Sequence, residues 1–434
     1  MALASFRPLR NRDFALLFSA SLVSNIGTWM ETVAVGALVT GLTGKAVWAA
    51  LVAAATFLPI GVLSPVGGAL ADRVDRRRFL IATNSFEAGL AAVLTVLAAT
   101  GNAKPVYVVA VVFCEGCSSA LRMPFQQAIL PDLVPEEDLF GAVAIGSAPW
   151  NFGRIIGPAL AALVIAAFSF KAAFAVNSVS FLAVIIVLAL LRLPQPKGRG
   201  SPGGLLTQIR AGAAGMWAEP GCRAAVLLIA VAALFVSPFI ALVPAEARLL
   251  VRHRASGRGL SGLAEARAIA RTTGTLVTAQ GIGAVAGALA LAPLAERLGQ
   301  RPLVLGALVA TPVCLVAYAA TSSTAVATAA IAALGVAYIG VLSGLSAVVQ
   351  LRAAPALRGR ILSFFFMALG VIYPVGALAQ GALADTIGLH AVTVGAALGM
   401  LAVLAVLATA QPSTVRSLEA TAARPGMEPT PVLP

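Results

Sequence analysis

Charge is scarce in this sequence. Of its 434 residues 11% are Asp, Glu, Lys or Arg and 59% are hydrophobic, whereas a soluble domain carries about 25% charged residues. So few polar groups exclude an ordinary water-soluble globule, and the chain reads as an integral membrane protein. Histidine is scarcer still: His253 and His390 are the two in the chain. Both fall at or outside the predicted outer surface, which argues against a histidine proton relay or a metal cluster. The four cysteines, Cys114, Cys117, Cys222 and Cys314, lie in or beside apolar segments. Cys114 and Cys117 form a C-x-x-C, but within an apolar run and with no histidine nearby it lacks the loop setting of a zinc or redox site. No G-x-x-x-x-G-K-[ST] loop occurs, so ATP hydrolysis by this chain is unsupported. Catalysis is equally unsupported, and no cofactor or metal is expected.

Long runs of Ala, Leu, Val and Gly are abundant. A bilayer core requires about 20 apolar residues per helix. Twelve such segments are legible, near 14–39, 46–71, 79–100, 105–127, 142–167, 170–192, 223–245, 274–295, 302–320, 324–349, 361–384 and 390–411. Membrane barrel strands are short and alternate apolar with polar residues, which these runs do not. The expected fold is an all-α membrane protein with twelve transmembrane helices. Residues Phe6 to Phe14 carry Arg7, Arg10 and Arg12 and run directly into a full-length span, so the first helix reads as an uncleaved insertion signal.

The formal charge of +13 is spread over short loops rather than gathered on one soluble face, which argues against nucleic acid. It is better explained by orientation. A cytoplasmic N-terminus places most Lys and Arg on inner loops, and the positive-inside rule then puts both termini in the cytoplasm. The basic stretch 248–271 opposes that trend and reads as an outer-face insertion holding a short amphipathic helix.

Residues Gly68 to Arg78 place Asp72, Arg73, Arg76, Arg77 and Arg78 at the seam between two apolar runs, a charged loop at a membrane surface. A weaker copy, with Glu296, Arg297, Gly299 and Arg301, lies between two later runs. Pro135 with Pro355 and Pro158 with Pro374 recur at similar offsets. The chain therefore reads as two six-helix pseudo-repeats, the parallel-repeat transporter architecture. The divisions are a first bundle over 1–192, a Pro- and Gly-rich cytoplasmic linker over 193–222, a second bundle over 223–411 and a tail over 412–434 expected to be disordered.

From about Phe6 to Gln411 these features resemble the major facilitator superfamily. Gly68, Asp72, Arg73, Arg76 and Arg77 match its loop motif between helices 2 and 3, where the glycine permits close helix approach and the charges clamp the cytoplasmic side. Asp75 departs from the usual glycine, and in the second copy Ala292 replaces the leading glycine. Further stretches resemble one branch, the third drug:proton antiporter family of bacterial siderophore exporters and macrolide efflux proteins: Asn11-Arg-Asp-Phe14, Gly27-Thr-Trp-Met30, Leu130-Pro-Asp-Leu-Val-Pro135, Gly157-Pro158 with Arg154 upstream, and Leu357-Arg-Gly-Arg-Ile-Leu-Ser363. Gly153, Gly157 and Pro158 resemble the antiporter motif of helix 5, although Ala161 and Ala162 stand where two glycines are preferred. Packing and a bend explain the same residues, since small residues let helices pack closely in lipid. In helix 4, Gly116 fits a second exporter motif, but Val112 occupies the place of its arginine. The resemblance implies a bacterial cytoplasmic membrane, a small-molecule substrate, protons as the coupling ion and a monomeric protein.

A charged side chain at the bilayer centre costs about 3 kcal/mol on insertion scales and normally faces a partner or an aqueous cavity. By helix rise, Glu87, Glu115 and Arg154 share a depth, and Arg154 is expected to pair with either carboxylate; Glu31 is expected nearer the outer face, receiving protons or a cationic substrate. A carboxylate alternately buried and paired couples proton entry to a conformational change; a fixed Glu–Arg pair would only hold helices together. Asn151 is a further candidate for proton coupling or substrate contact. With Asn25, Gln280, Gln350 and Gln380 it either lines a cavity or makes helix–helix hydrogen bonds. Arg122 is assigned to the inner gate with Asp72, Asp132, Glu136, Glu137 and Asp138. Phe364, Phe365, Phe366 and Tyr373 serve as core or as contacts for an apolar ligand. The expected function is proton-coupled export of small amphipathic compounds by alternating access. The alternatives are a dedicated exporter or facilitator of one metabolite such as a siderophore, and a non-transporting membrane binding module.

Overall fold

The computed structural model describes residues 4–71, 73–191, 205–255, 262–355 and 357–418. A 3-10 turn over Ala4–Arg10 leads into α1 (Arg12–Thr43), followed by α2 (Ala46–Ala71), α3 (Arg76–Ala99) and α4 (Pro105–Ala128). Short α5 (Leu130–Leu133) leads to α6 (Glu136–Gly146), which with α7 (Ala148–Ala167) makes the fifth span; α8 (Phe170–Leu190) makes the sixth. Beyond the linker come α9 (Leu205–Ala218), then α10 (Pro220–Phe235) with α11 (Phe239–Ala255), α12 (Gly262–Leu298), α13 (Gln300–Ala319) and α14 (Thr324–Arg352). The eleventh span joins α15 (Arg358–Met367) to α16 (Tyr373–Ile387) through a π-helical turn at Ala368–Ile372, and α17 (Leu389–Ala410) and α18 (Pro412–Arg416) complete the chain. Twelve segments are long and apolar enough to cross a bilayer, and no strand occurs among the described residues.

Helix is forced on these runs because lipid offers no hydrogen bonds to an open backbone. The π turn immediately precedes Tyr373 and Pro374. Proline has no N–H to donate, and a π turn is a common way for a helix to absorb such a gap. Between α12 and α13, Gly299 has φ +84°, a left-handed conformation that glycine adopts without strain.

The basic stretch 248–271 does not form a separate amphipathic helix. It supplies the end of α11 and the start of α12, on either side of residues 256–261, which lie outside the described residues. Both helices outrun their apolar segments because Arg248 and Arg252 of α11 converge on Glu265 of α12 at 3.0 and 2.7 Å. Of the linker expected over 193–222, residues up to 204 lie outside the described residues; α9 then packs on α15 through Gly212, against Arg360 and Phe364. Most of the tail, from 419 on, is likewise outside them.

Spans α1 to α8 pack chiefly on one another, as do α10 to α17. The two groups meet where α1 and α2 face α11, α12 and α16, and where α7 faces α12. Glycines set these approaches: Gly36 against Pro244, Gly41 against Ala266, Gly381 against Val47 and Ala50, and Gly61 against Gly370. Gly36, Gly41 and Gly381 lie between mid-membrane and the end remote from the chain termini, here called the far end, while Gly61 and Gly370 lie near the middle of their spans. Toward the opposite, terminal end, α2 meets α15, and contacts between the two groups of spans are sparser among the described residues.

Candidate functional site

Three carboxylates from different helices converge near mid-membrane. Glu31 of α1, 5% exposed, accepts a hydrogen bond from Asn177 Nδ2 of α8 at 2.8 Å. Its carboxyl group also lies within hydrogen-bonding reach of that of Glu115 on α4. Glu115 Oε1 is enclosed and receives no hydrogen bond among the described residues. Glycine makes the assembly possible: a Cβ at Gly27 would lie 2.6 Å from Asn177 Oδ1 and 2.5 Å from Ser180 Oγ, so α1 can sit against α8 at this point. Ser180 Oγ in turn donates to Asn177 O at 2.7 Å. On the other side, a side chain at Gly116 would collide with the Ala55 and Thr56 carbonyls of α2, which holds α4 and therefore Glu115 in place.

Helix α1 runs from Arg12 to Thr43, so Glu31 lies a few residues past its middle toward the far end, and it is enclosed beside Asn177 rather than standing apart from the other carboxylates. Glu87 of α3 is paired as well, but with Arg122, which was expected at the gate. Arg122 Nε donates to Glu87 Oε1 at 3.2 Å, and Ser119 Oγ donates to the same oxygen at 3.2 Å. Both charged side chains are largely buried. A long arginine near the end of α4 reaches inward because a buried carboxylate without a partner is costly.

Arg154 pairs with neither Glu87 nor Glu115. Its Nη2 donates to Gln280 Oε1 of α12 at 2.7 Å, across the two groups of spans. The cause is helical phase. Gly153 and Gly157 press against Asn25, Ile26 and Trp29 of α1, and a residue one step along is rotated by roughly 100° at 3.6 residues per turn. That rotation aims Arg154 at α12. Thr278 Oγ1 of α12 donates to Ile155 O at 3.3 Å, and Gly274 seats against Pro158 and Ala162, so the small residues of this motif serve close packing. Asn151 is exposed and donates to Ser147 O of its own chain segment at 3.0 Å; it does not join the cluster. Gln380 bonds the Leu234 and Phe235 carbonyls at 2.9 and 3.0 Å, a helix–helix contact.

At the terminal end the first charged loop clamps its own half. Arg76 Nη1 bonds Ala128 O at 3.0 Å and Asp132 Oδ2 at 3.2 Å. Arg77 Nε bonds Leu188 O at 2.7 Å, and its Nη2 bonds Ala189 O, capping the carbonyl end of α8. The added Asp75 is the N-cap of α3, accepting from Arg78 N at 2.9 Å. Arg7 pairs with Glu137 and Asp138 at 2.8 and 3.1 Å. Arg73 is exposed, and Asp72 lies outside the described residues. Close helix approach belongs to Gly67, whose Cβ would meet Leu121 O at 2.8 Å; a Cβ at Gly68 would meet nothing within 4 Å. The second copy builds no such clamp, because Glu296, Arg297 and Arg301 make no ion pair among the described residues.

At the far end, the Asp385 carboxylate of α16 accepts from Ala46 N at 2.6 Å and Val47 N at 3.1 Å, while Arg248 Nη1 donates to Gly44 O at 2.7 Å. Both histidines line a cavity of about 200 Å³ there with Glu246, Leu249, Leu250, Thr321 and Ser322, and His390 Nε2 is 3.2 Å from Glu246 Oε1. The sequence reading singled out neither Asn177, Ser119 nor Asp385 as a site residue. Asn177 carried a visible signal, an amide inside an otherwise apolar span, whereas the role of Asp385 depends on which helix end faces it.

A model of the transmembrane secretion effector family matches residues 3–432. The chain is 31% identical over 191 residues to the staphyloferrin A transporter of Staphylococcus aureus, covering 43% of this chain and 48% of that protein. It is 28% identical over 182 residues to macrolide efflux protein A of Streptococcus pyogenes, covering 42% and 45%. These alignments span less than half of each relative's length. A longer alignment, 26% identical over 397 residues and covering 89% of this chain and 92% of the relative, joins it to multidrug efflux pump Tap of Mycolicibacterium fortuitum. In fold it resembles a bacterial homologue of the lysosomal transporter Spinster in an inward-facing, unoccupied conformation, with TM-score 0.68, 14% identity and coverage of 95% and 97%. It also resembles a bacterial homologue of ferroportin in the inward-facing state, with TM-score 0.66, 16% identity and coverage of 92% and 99%. These relatives and neighbours are transporters, and the chain, with its twelve potential membrane spans, belongs to the transmembrane secretion effector family of the major facilitator type, with efflux proteins among its relatives.

Proposed function

We propose that this transporter exports small amphipathic compounds across the bacterial cytoplasmic membrane in exchange for protons, by alternating access of its two six-helix halves, 1–192 and 223–411. The observation that carries this reading is the facing Glu31–Glu115 pair at mid-membrane. Two carboxyl groups in one apolar site disfavour simultaneous ionisation, so the pair is suited to taking up one proton and releasing it when the surroundings change. Glu87 with Arg122 sits beside it as a fixed charge pair that keeps α3 and α4 in register. With both termini cytoplasmic, an arrangement whose halves meet chiefly from mid-membrane to the far end is the inward-facing state, which receives a compound from the cytoplasm or the inner leaflet. The exporter relatives support the direction of transport.

The test is flux in proteoliposomes with and without a pH gradient. For Glu31→Gln and Glu115→Gln we expect gradient-driven flux to fall by at least about tenfold, the loss of a coupling group, while exchange of labelled for unlabelled compound persists. Gradient-driven flux that survives in the double variant refutes the assignment. A narrower reading, export of one endogenous metabolite, draws support from the staphyloferrin A relative, and substrate competition separates the two. The non-transporting module loses its support, since the basic stretch that suggested it forms the ends of two spans.

A further inference from the structure

We infer that Arg154 and Gln280 form a site for the anionic head of the transported compound, a carboxylate, at the seam between the two halves; this rests on the transport reading above. Arg154 makes no ion pair among the described residues, and its one hydrogen bond goes to a neutral amide oxygen. It is half-buried on a span at mid-membrane, where a cation with no counter-ion is costly. Gln280 is 4% exposed. Because its Oε1 accepts from Arg154, its Nε2 points elsewhere, and that nitrogen is enclosed without a partner. The guanidinium keeps N–H donors that meet no acceptor among the described residues, and a carboxylate, which offers several lone pairs in a plane, is complementary to them; Gln280 Oε1 orients the guanidinium from the other half. The three buried carboxylates offer nothing in exchange: Glu87 is taken by Arg122, and Glu31 by Asn177 and Glu115.

The backbone behind Arg154 is fixed. Gly153 and Gly157 hold α7 on α1, and Thr278 ties α12 to Ile155. Trp29 and Trp150 stack edge to face at 5.1 Å, with Trp150 about one turn before Arg154, which gives an apolar surface for the rest of an amphipathic acid. The guanidinium comes from one half and the amide oxygen that orients it from the other, so the site is complete only while α7 and α12 are together. Its affinity for the anion therefore differs between the two conformations, as a transport site requires.

The experiment uses the full-length protein in nanodiscs and proteoliposomes with three matched probes: dansylglycine, its neutral methyl ester, and cationic dansyl-ethylenediamine. Binding is read by energy transfer from tryptophan to the dansyl group. We expect the native protein to prefer the acid over the ester by about ten- to a hundredfold, the weight of one charge-assisted hydrogen bond. Arg154→Gln should abolish that preference, so that acid and ester bind equally. Arg154→Lys, which keeps the charge without the planar fork, and Gln280→Leu should each narrow it several-fold; these two decide the matter where Arg154→Gln fails to fold. Equal binding of acid and ester, an acid preference untouched by all three substitutions, or no binding of any probe overturns the inference. Acid binding without gradient-driven flux keeps the site and refutes proton-coupled transport; ester or cation flux without an acid preference does the reverse.

Discussion

Replacing Asp385 with alanine should release the far end of the molecule. In the closed arrangement its carboxylate accepts two hydrogen bonds, from Ala46 N at 2.6 Å and Val47 N at 3.1 Å, and so caps the first turn of α2 from the opposite half. Losing a cap costs about 0.5–2 kcal/mol, and losing a negative charge at a helix N-terminus about 0.3–1 kcal/mol. Both bonds exist only while the halves meet at the far end, so the loss falls on that state alone. A difference of one or two kcal/mol moves the equilibrium about 5- to 30-fold; an open-far-end population of about 1%, within the usual range for a minor state, rises to roughly 5–25%. Asp385→Asn, which keeps an acceptor but loses the charge, should produce a smaller shift. The assay is a pulsed spin–spin distance measurement in nanodiscs. Labels are placed at Asn102→Cys and Ser322→Cys, two exposed far-end loop positions on opposite halves, with the four native cysteines replaced. A longer-distance population should appear in Asp385→Ala. A distribution identical to that of the parent would show that Asp385 contributes equally to both states and refutes its role as a latch.

Gly157→Leu places a Cβ 2.6 Å from Trp29 Cβ and 3.0 Å from Met30 N, and overpacking of this kind should lower stability by about 1–3 kcal/mol; an unchanged thermal unfolding curve in detergent would contradict the α1–α7 contact. Arg122→Leu leaves Glu87 buried without a counter-charge, a loss of about 3–5 kcal/mol, and adding Glu87→Leu should recover most of it in the same assay. Arg77→Gln removes the donors to the Leu188 and Ala189 carbonyls and should cost about 1 kcal/mol. Arg301→Gln, at the equivalent place in a copy that makes no clamp, should leave the melting temperature unchanged, and equal losses in the two variants would show that both loops carry load.

The number and order of spans were legible because backbone desolvation leaves an apolar run of about 20 residues little choice but to be a helix. Helix partners were less legible, for a reason visible at Arg154. Depth follows from counting residues, and that count correctly set Arg154 near mid-membrane. Direction depends on rotation about the helix axis, and one residue changes it by roughly 100°; the Gly153 and Gly157 contacts that fix the phase of α7 require knowing that α1 lies opposite. Glu31 shows the same limit: counting set it past the middle of α1 toward the far end, where it lies, but could not show that Asn177 faces it. The loop motif shows a different limit. Its residue types predicted ionic clamping, and Arg76 and Arg77 do clamp, but their acceptors are largely backbone carbonyls at helix ends, which carry no sequence signature.

The two far-end contacts share one turn. Gly44 ends α1 in a left-handed conformation, with φ +67°, and Ala46 begins α2, so the carbonyl end of one helix and the amide end of the next lie within a few residues. The second half meets them with matched charges: Arg248 of α11 donates to Gly44 O, at the negative end of α1, and Asp385 of α16 accepts from Ala46 N and Val47 N, at the positive end of α2. Each charge is favourable at its own helix end and unfavourable at the other, so a shift of the turn by one helical step would turn both contacts repulsive. Glycine and alanine contacts such as Gly36 with Pro244 and Gly41 with Ala266 bring the surfaces close but contribute little directional resistance to sliding. Register at the far end therefore rests on the Arg248–Gly44 and Asp385–Ala46 contacts. Because both hold the same turn, breaking one loosens the geometry of the other, so the alternating access proposed above predicts that Asp385→Ala also weakens the Arg248–Gly44 contact, a coupling that a double-mutant cycle with Arg248→Gln would measure.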